Sequence, residues 1–133
     1  MRTRTTRRTL ALAGARACGA VACSSNALSP FEPEIASATD NFQLQATGVT
    51  SVTSTLTYSW ANTGTRATIN HSTVTTAGSA GLTVRDGTGA IVYAKNLAPS
   101  LSEATATGAA GTWTITLTLT SYSGTLNFRA QKL

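Results

Sequence analysis

Charged side chains are scarce in this sequence, and those present are unevenly placed. Only 11% of the residues are Asp, Glu, Lys or Arg, whereas an average domain has roughly 25%. The formal net charge is +5, but five of the ten basic residues are arginines that precede residue 17. The five basic and five acidic residues beyond residue 23 cancel. The folded part therefore lacks the basic footprint of a nucleic-acid-binding protein, and no nucleic-acid partner is predicted.

Cysteine and histidine are nearly absent as well, which argues against most enzymatic and metal sites. The single histidine, His71, lies beside no nucleophile motif and is predicted at a strand end on the surface. The stretch Asp86–Gly89 offers one carboxylate, whereas Ca²⁺ takes about six to eight oxygen ligands. A hairpin turn explains Asp and Gly at these positions equally well. We therefore predict no catalytic residue, no metal, no cofactor and no enzymatic activity.

The first 22 residues have the layout of an export signal. Arginines are followed by a short, modestly apolar stretch, too short for the roughly 20 apolar residues of a membrane-spanning helix. The sequence "AVAC" allows cleavage after Ala22 by an ordinary signal peptidase. It also resembles a bacterial lipobox, in which Cys23 becomes the lipidated first residue, and "TRRTL" resembles a twin-arginine export motif. Lipidation of Cys23 is favoured, because after cleavage Cys23 would otherwise be a lone thiol in an exported protein.

Beyond the export signal, the chain divides into an arm and a β-domain. Residues 23–39 contain two prolines and no period, and are predicted to form a tether or a loosely docked arm. Residues 40–133 alternate polar and apolar side chains, with turn signals every 8–12 residues. The pattern predicts a small all-β fold, an antiparallel β-sandwich of the immunoglobulin-like or jelly-roll-like kind with about seven strands. Hairpins are predicted at Asp86–Gly89 and, near the C-terminus, across Ser121–Gly124.

The segments "AGLTVRDGTGAIVYAKNL" and "GAAGTWTITLTLTSYSGTLNFRAQ" together resemble the closing half of bacterial pre-peptidase C-terminal domains. The matching residues are Gly111-Thr112-Trp113 and Tyr122-Ser123-Gly124. The resemblance implies a small secreted β-sandwich of a kind usually appended to exported enzymes. This chain departs from that family in having few of the acidic residues that some such domains use for calcium. It is similar to small exported sandwich proteins, many of them lipoproteins, with no assigned activity.

Aromatic and threonine side chains supply the remaining candidate sites. Trp60 and Trp113 share strand faces with apolar residues and are predicted in the core. Tyr122, which is predicted to be exposed at a turn, and Tyr93 are the candidate ligand-binding residues. The threonines of "TWTITLTLT" are predicted on the solvent side of a strand. They would form an ordered-surface-binding plane only if a second threonine row, residues 53–57, lay beside them on a flat sheet.

These observations predict a non-enzymatic, exported, lipid-anchored interaction module of the cell surface or periplasm. It would be attached to the outer or cytoplasmic membrane through Cys23, or be freely secreted, with a protein or polysaccharide partner. A polysaccharide-binding module is the first alternative. An accessory domain that acts together with an exported hydrolase is the second.

Overall fold

The structure of the protein, a computed structural model, describes residues 27–133. A 3-10 turn at Ser29–Phe31 is the only helical segment of this range. Seven strands follow: β1 (Glu34–Ala38), β2 (Asn41–Asn62), β3 (Ala67–His71), β4 (Val74–Arg85), β5 (Ile91–Asn96), β6 (Leu101–Ala104) and β7 (Gly111–Lys132). The predicted all-β antiparallel fold of about seven strands is confirmed. Within these residues no helix is long and apolar enough to cross a membrane.

All seven strands are hydrogen-bonded into one antiparallel sheet. Its order is β1-β2-β7-β3-β6, and β4 pairs with both β7 and β5. The long strand β7 is central, because β2 follows one of its edges while β4 and then β3 follow the other. The alternation of threonine with large apolar residues suits this place, since one face of β7 is buried and the other faces outward.

The prediction of a C-terminal hairpin across Ser121–Gly124 is wrong. The chain passes through this segment without reversing, and β7 pairs with β2 on both sides of it. Register shifts mark β-bulges here, and both Ser121 and Gly124 have positive φ angles, 45° and 143°. Residues that favour a turn therefore produce a bend inside one 22-residue strand.

Three neighbouring strands bend together. Positive φ angles occur at Gly48 and Ser51 in β2, at Gly78 in β4, and at Ser121 and Gly124 in β7. Register shifts in the pairing of β7 with β2 and with β4 coincide with these positions. A β-bulge adds a residue to one strand and bends it, so coincident bulges in adjacent strands bend the whole sheet.

The bend folds the sheet over on itself and creates two layers. One layer consists of β1, the first half of β2, the second half of β7, β3 and β6. The other layer consists of the second half of β2, the first half of β7, β4 and β5. Phe42, near the start of β2, contacts Tyr58, near its end, with ring centroids 5.6 Å apart. The amide of Asp40 donates to the carbonyl of Ala61 at 2.8 Å. The two layers predicted for a sandwich thus belong to one hydrogen-bonded sheet.

The core lies between these layers and uses the predicted faces. Trp60 and Trp113 stand opposite each other in register, are 1% and 0% exposed, and make an edge-to-face contact at 5.8 Å. Their indole N–H groups donate to the carbonyls of Ala38 and Ala109. Both tryptophans are therefore satisfied core residues, as predicted.

The folded unit begins before residue 40. Leu28 is fully buried, and residues 34–38, predicted as part of an arm, form the edge strand β1 paired with β2. Because the side chain of Leu28 packs in the core, the described part of the predicted arm belongs to the folded domain. The predicted export signal, residues 1–22, and Cys23 lie outside the described residues.

Candidate functional site

Tyr122, predicted as an exposed candidate for ligand binding, is buried. Its side chain is 0% exposed, and its hydroxyl donates to the carbonyl of Val74 at 3.1 Å. Burial raises the pKa of the Tyr122 phenol above its ordinary value. The prediction of exposure was wrong because the segment is a bend in a strand, and the ring points into the space that the bend encloses.

Tyr93, the second candidate, takes part in a polar network that links the two layers. It is 6% exposed, and its hydroxyl donates to Oε2 of Glu103 at 3.2 Å. The same hydroxyl lies 3.3 Å from Nε2 of His71. Burial, followed by the negative charge of Glu103, raises the pKa of Tyr93 far above its ordinary value. Tyr93 is therefore a structural link between β5, β3 and β6.

His71 is not the surface residue that the sequence predicts. It is 3% exposed. Because the Tyr93 hydroxyl gives its proton to Glu103, the proton shared between His71 and Tyr93 belongs to Nε2 of the imidazole. Nδ1 is buried and has no hydrogen-bond partner among the described residues. Neither ring nitrogen meets a serine or threonine hydroxyl there, so His71 does not form a base–nucleophile pair.

The Asp86 turn is the predicted hairpin between β4 and β5, and its carboxylate holds loops together. Oδ1 accepts from the amide and the hydroxyl of Thr88 and from the amide of Ala90, at 2.7–3.0 Å. Oδ2 accepts from the amide of Ala109 at 2.8 Å. These bonds, the Thr88 hydroxyl first, lower the pKa of Asp86 to about 2. In residues 27–133 no three His, Cys, Asp or Glu side chains cluster as metal ligands.

A polar surface pocket of about 220 Å³ lies where β3 ends beside β7. It is lined by Asn70, His71, Ser72, Asn127 and Arg129. Asn70 stands opposite Arg129 in the register of the two strands, and the amide of Ser72 donates to the carbonyl of Asn127 at 3.0 Å. The pairing of these distant segments brings together polar residues that, except for the buried His71, the strands turn away from the core.

The electrostatics of this pocket are set by one unpaired guanidinium. Arg129 is exposed and makes no ion pair or hydrogen bond through its side chain within the described part of the chain. No carboxylate from the described residues lines the pocket. The nearest acid on this face along the strand ladder is Glu34, which lies opposite Gln45, itself opposite Asn127. Two strand spacings, about 10 Å, therefore separate the Glu34 and Asn127 backbones.

Sequence reasoning missed this pocket. The alternation in "TLNFRAQ" predicts that Asn127 and Arg129 lie on the solvent face of a strand. The alternation in "RATINHS" predicts the same position for Asn70. Nothing in either pattern predicts that the two segments pair. The sequence feature that could have indicated a site here is that Arg129 has no acidic residue near it in its own segment.

The two threonine rows do lie side by side. Thr55 stands opposite Thr118 and Thr57 opposite Thr116, and on the other side of β7 Thr83 also faces Thr116. The adjacency on which an ordered-surface role depends is therefore present. All these side chains are on the outer face of the sheet, where their hydroxyls keep it polar and uncharged.

No protein-family model, no curated protein and no solved structure matches this chain. The resemblance to pre-peptidase C-terminal domains therefore remains a prediction carried by the residues quoted above.

Proposed function

We propose that the protein is an exported, non-enzymatic interaction module, anchored through a lipid on Cys23 at the membrane of the cell envelope. One observation carries most weight: the side chains with catalytic chemistry have structural roles. His71, Tyr93 and Glu103 form the link between layers, and Asp86 holds loops together. The outer face of the sheet presents adjacent rows of threonine and, at Arg129, an open polar pocket, which suits recognition.

The stretch of chain between the proposed lipid anchor and the folded domain is short. Only four residues lie between Cys23 and Leu28, whose side chain is buried. A fully extended chain covers about 18 Å over that distance. A lipid on Cys23 would therefore hold the domain against the bilayer surface, and its partners would lie within the same thin layer of the envelope.

The alternative of a polysaccharide-binding module loses its usual means of contact. Sugar rings stack on exposed aromatic side chains, but Trp60, Trp113 and Tyr122 are all buried. The other Phe and Tyr side chains between residues 27 and 133 are buried or half-buried. A carbohydrate ligand would need a polar site, and the pocket at Arg129 is such a candidate.

The anchor is tested on protein purified from its native envelope. We expect the mature N-terminal peptide to begin at Cys23 and to carry the added mass of a diacylglycerol group, and the protein to sediment with membranes. Cys23→Ser is the matched variant, because it changes one atom and removes the acceptor thiol. It should be found in the soluble fraction. A wild-type peptide that begins at Cys23 without the lipid mass would rule out the anchor.

The non-enzymatic role is tested separately. Replacing His71 by Gln removes the only imidazole of the chain. We expect the variant, once shown to be folded, to retain any envelope phenotype of the wild type. Because His71 also lines the pocket at Arg129, loss of the phenotype in a folded His71→Gln variant would favour catalysis over interaction only if Arg129→Gln, which leaves the imidazole in place, retained it.

A further inference from the structure

We propose that the pocket between the end of β3 and β7 binds a uronic acid, a sugar that carries one carboxylate, with Arg129 as the carboxylate ligand. This inference goes beyond the proposed function and does not depend on export or lipidation. It rests on the charge, the unused hydrogen-bonding groups and the size of the pocket.

Charge selects a single anionic group. Within residues 27–133, the exposed Arg129 guanidinium has no side-chain partner and no carboxylate lines the pocket. A guanidinium presents a planar set of N–H donors that matches a carboxylate with two parallel hydrogen bonds. Because the lining contains only one permanent cation, the pocket suits one negative charge better than a polyanion. A nucleic acid would need several cations along its backbone.

Hydrogen bonding selects hydroxyl groups beside that charge. The side chains of Asn70, Ser72 and Asn127 line the pocket and make no hydrogen bond within the described part of the chain. Each amide offers two donors and an acceptor oxygen, and the serine hydroxyl both donates and accepts. Adjacent hydroxyls of a sugar ring both donate and accept, so they can satisfy all three side chains. A simple carboxylic acid can satisfy only Arg129 and the amide donors.

Size and the absence of stacking narrow the ligand further. The volume of about 220 Å³ is below the roughly 300–1,000 Å³ of pockets that enclose drug-sized ligands. It therefore suits one ring. Among the described residues, no Phe, Tyr or Trp lines the pocket, and the ring of His71, which does line it, is only 3% exposed. A neutral sugar would therefore find neither an open stacking surface nor a charge. The carboxylate must supply most of the affinity.

The test is an NMR titration of the full chain, with amide shifts as the readout. We expect glucuronate or galacturonate to shift the amides of Asn70, Ser72 and Asn127 saturably. Glucose, which lacks the carboxylate, and acetate, which lacks the hydroxyls, should each bind at least about tenfold more weakly. Added salt should weaken uronate binding, because it screens the attraction between the exposed guanidinium and the carboxylate.

Arg129→Gln is the test variant, because it removes the charge but retains an amide. The matched control is Arg85→Gln, since Arg85 is also an exposed strand arginine but lies in the other layer. Arg129→Gln should weaken uronate binding by about tenfold or more, and Arg85→Gln should leave it unchanged. Thermal unfolding of both variants checks that the fold is intact. We expect unchanged midpoints, because both arginine side chains are exposed.

Comparing the monosaccharide with polygalacturonate shows whether the pocket binds a free uronate or a uronate unit of a polysaccharide. Binding of either one, lost in Arg129→Gln, supports the proposal and identifies the source. Four results would overturn it: no saturable shift with any uronate, equal binding of acetate and uronate, binding unaffected by Arg129→Gln, or binding of an acidic peptide alone.

Discussion

Replacing Gly124 by alanine tests the bend that turns one sheet into two layers. The φ angle of Gly124 is 143°, which residues with a side chain rarely adopt. A Cβ placed there would overlap the carbonyl oxygen of Val74, the residue at which β4 begins. Gly78 has the reciprocal position, because a Cβ there would overlap the carbonyl oxygens of Thr120 and Ser121 in β7. The two glycines allow β4 and β7 to approach each other at the bend.

The expected loss has two parts. Backbone strain at a positive φ costs about 1–2 kcal/mol for a residue with a Cβ. Relief of the overlap requires β4 to move away from β7, which weakens ladder hydrogen bonds worth about 0.5–1.5 kcal/mol each. We therefore expect Gly124→Ala to lower the free energy of unfolding by about 3–5 kcal/mol, a large share of the roughly 5–15 kcal/mol of a typical domain.

Two control glycines separate strain from overlap. Gly48 has a φ of 66°, but nothing lies within 4 Å of a Cβ added to it, so Gly48→Ala should cost only the strain, about 1–2 kcal/mol. Gly81 has open space and no positive φ, so Gly81→Ala should stay within about 0.5 kcal/mol of the wild type.

Urea unfolding followed by tryptophan fluorescence measures all three variants, since Trp60 and Trp113 lie in the core. The order of loss should be Gly124→Ala, then Gly48→Ala, then Gly81→Ala. If Gly124→Ala were as stable as Gly81→Ala, the close approach of β4 to β7 would not exist as described. If Gly48→Ala and Gly124→Ala lost equal amounts, strain alone would explain both, and overlap would play no part.

Two further predictions concern single polar side chains. Tyr122→Phe removes the hydroxyl that donates to Val74 and should lower the free energy of unfolding by about 1 kcal/mol in the same urea assay; an unchanged midpoint would mean that this bond contributes nothing. For Asp86, the pKa falls from 3.8 to about 2 on folding, so its carboxylate stabilises the fold above about pH 4 and this contribution is lost as the pH falls towards 2. Asp86→Asn should therefore flatten the dependence of stability on pH in that interval, and an unchanged slope would contradict the assignment.

The secondary structure was predictable where the apolar period was clear. Trp60 and Trp113 were predicted on core faces, and the Asp86 turn was predicted as a hairpin, because both depend on local alternation and local turn chemistry. Tyr122 was misplaced for a physical reason. A positive-φ glycine beside polar residues suits a chain reversal and a β-bulge equally well, and neither choice changes which residues alternate on either side.

The candidate site was less predictable than the fold. Asn127 and Arg129 could be predicted to face outward, since they alternate with buried Leu126 and Phe128. That Asn70 lies opposite Arg129 depends on the pairing of β3 with β7. Pairing and register are properties of the whole sheet, because they follow from which buried faces must meet.

By itself the sequence determined an all-β antiparallel chain, its buried faces, and a domain whose charges cancel beyond residue 23. These properties are local or additive, so alternation and composition suffice to derive them. Only the tertiary structure decided that "TSYSGT" is a bend, because the choice depends on β4 approaching β7 through Gly78 and Gly124. The same bend buries Tyr122 and folds one sheet into two layers. The pocket at Arg129 in turn depends on the pairing of β3 with β7, which no local pattern specifies.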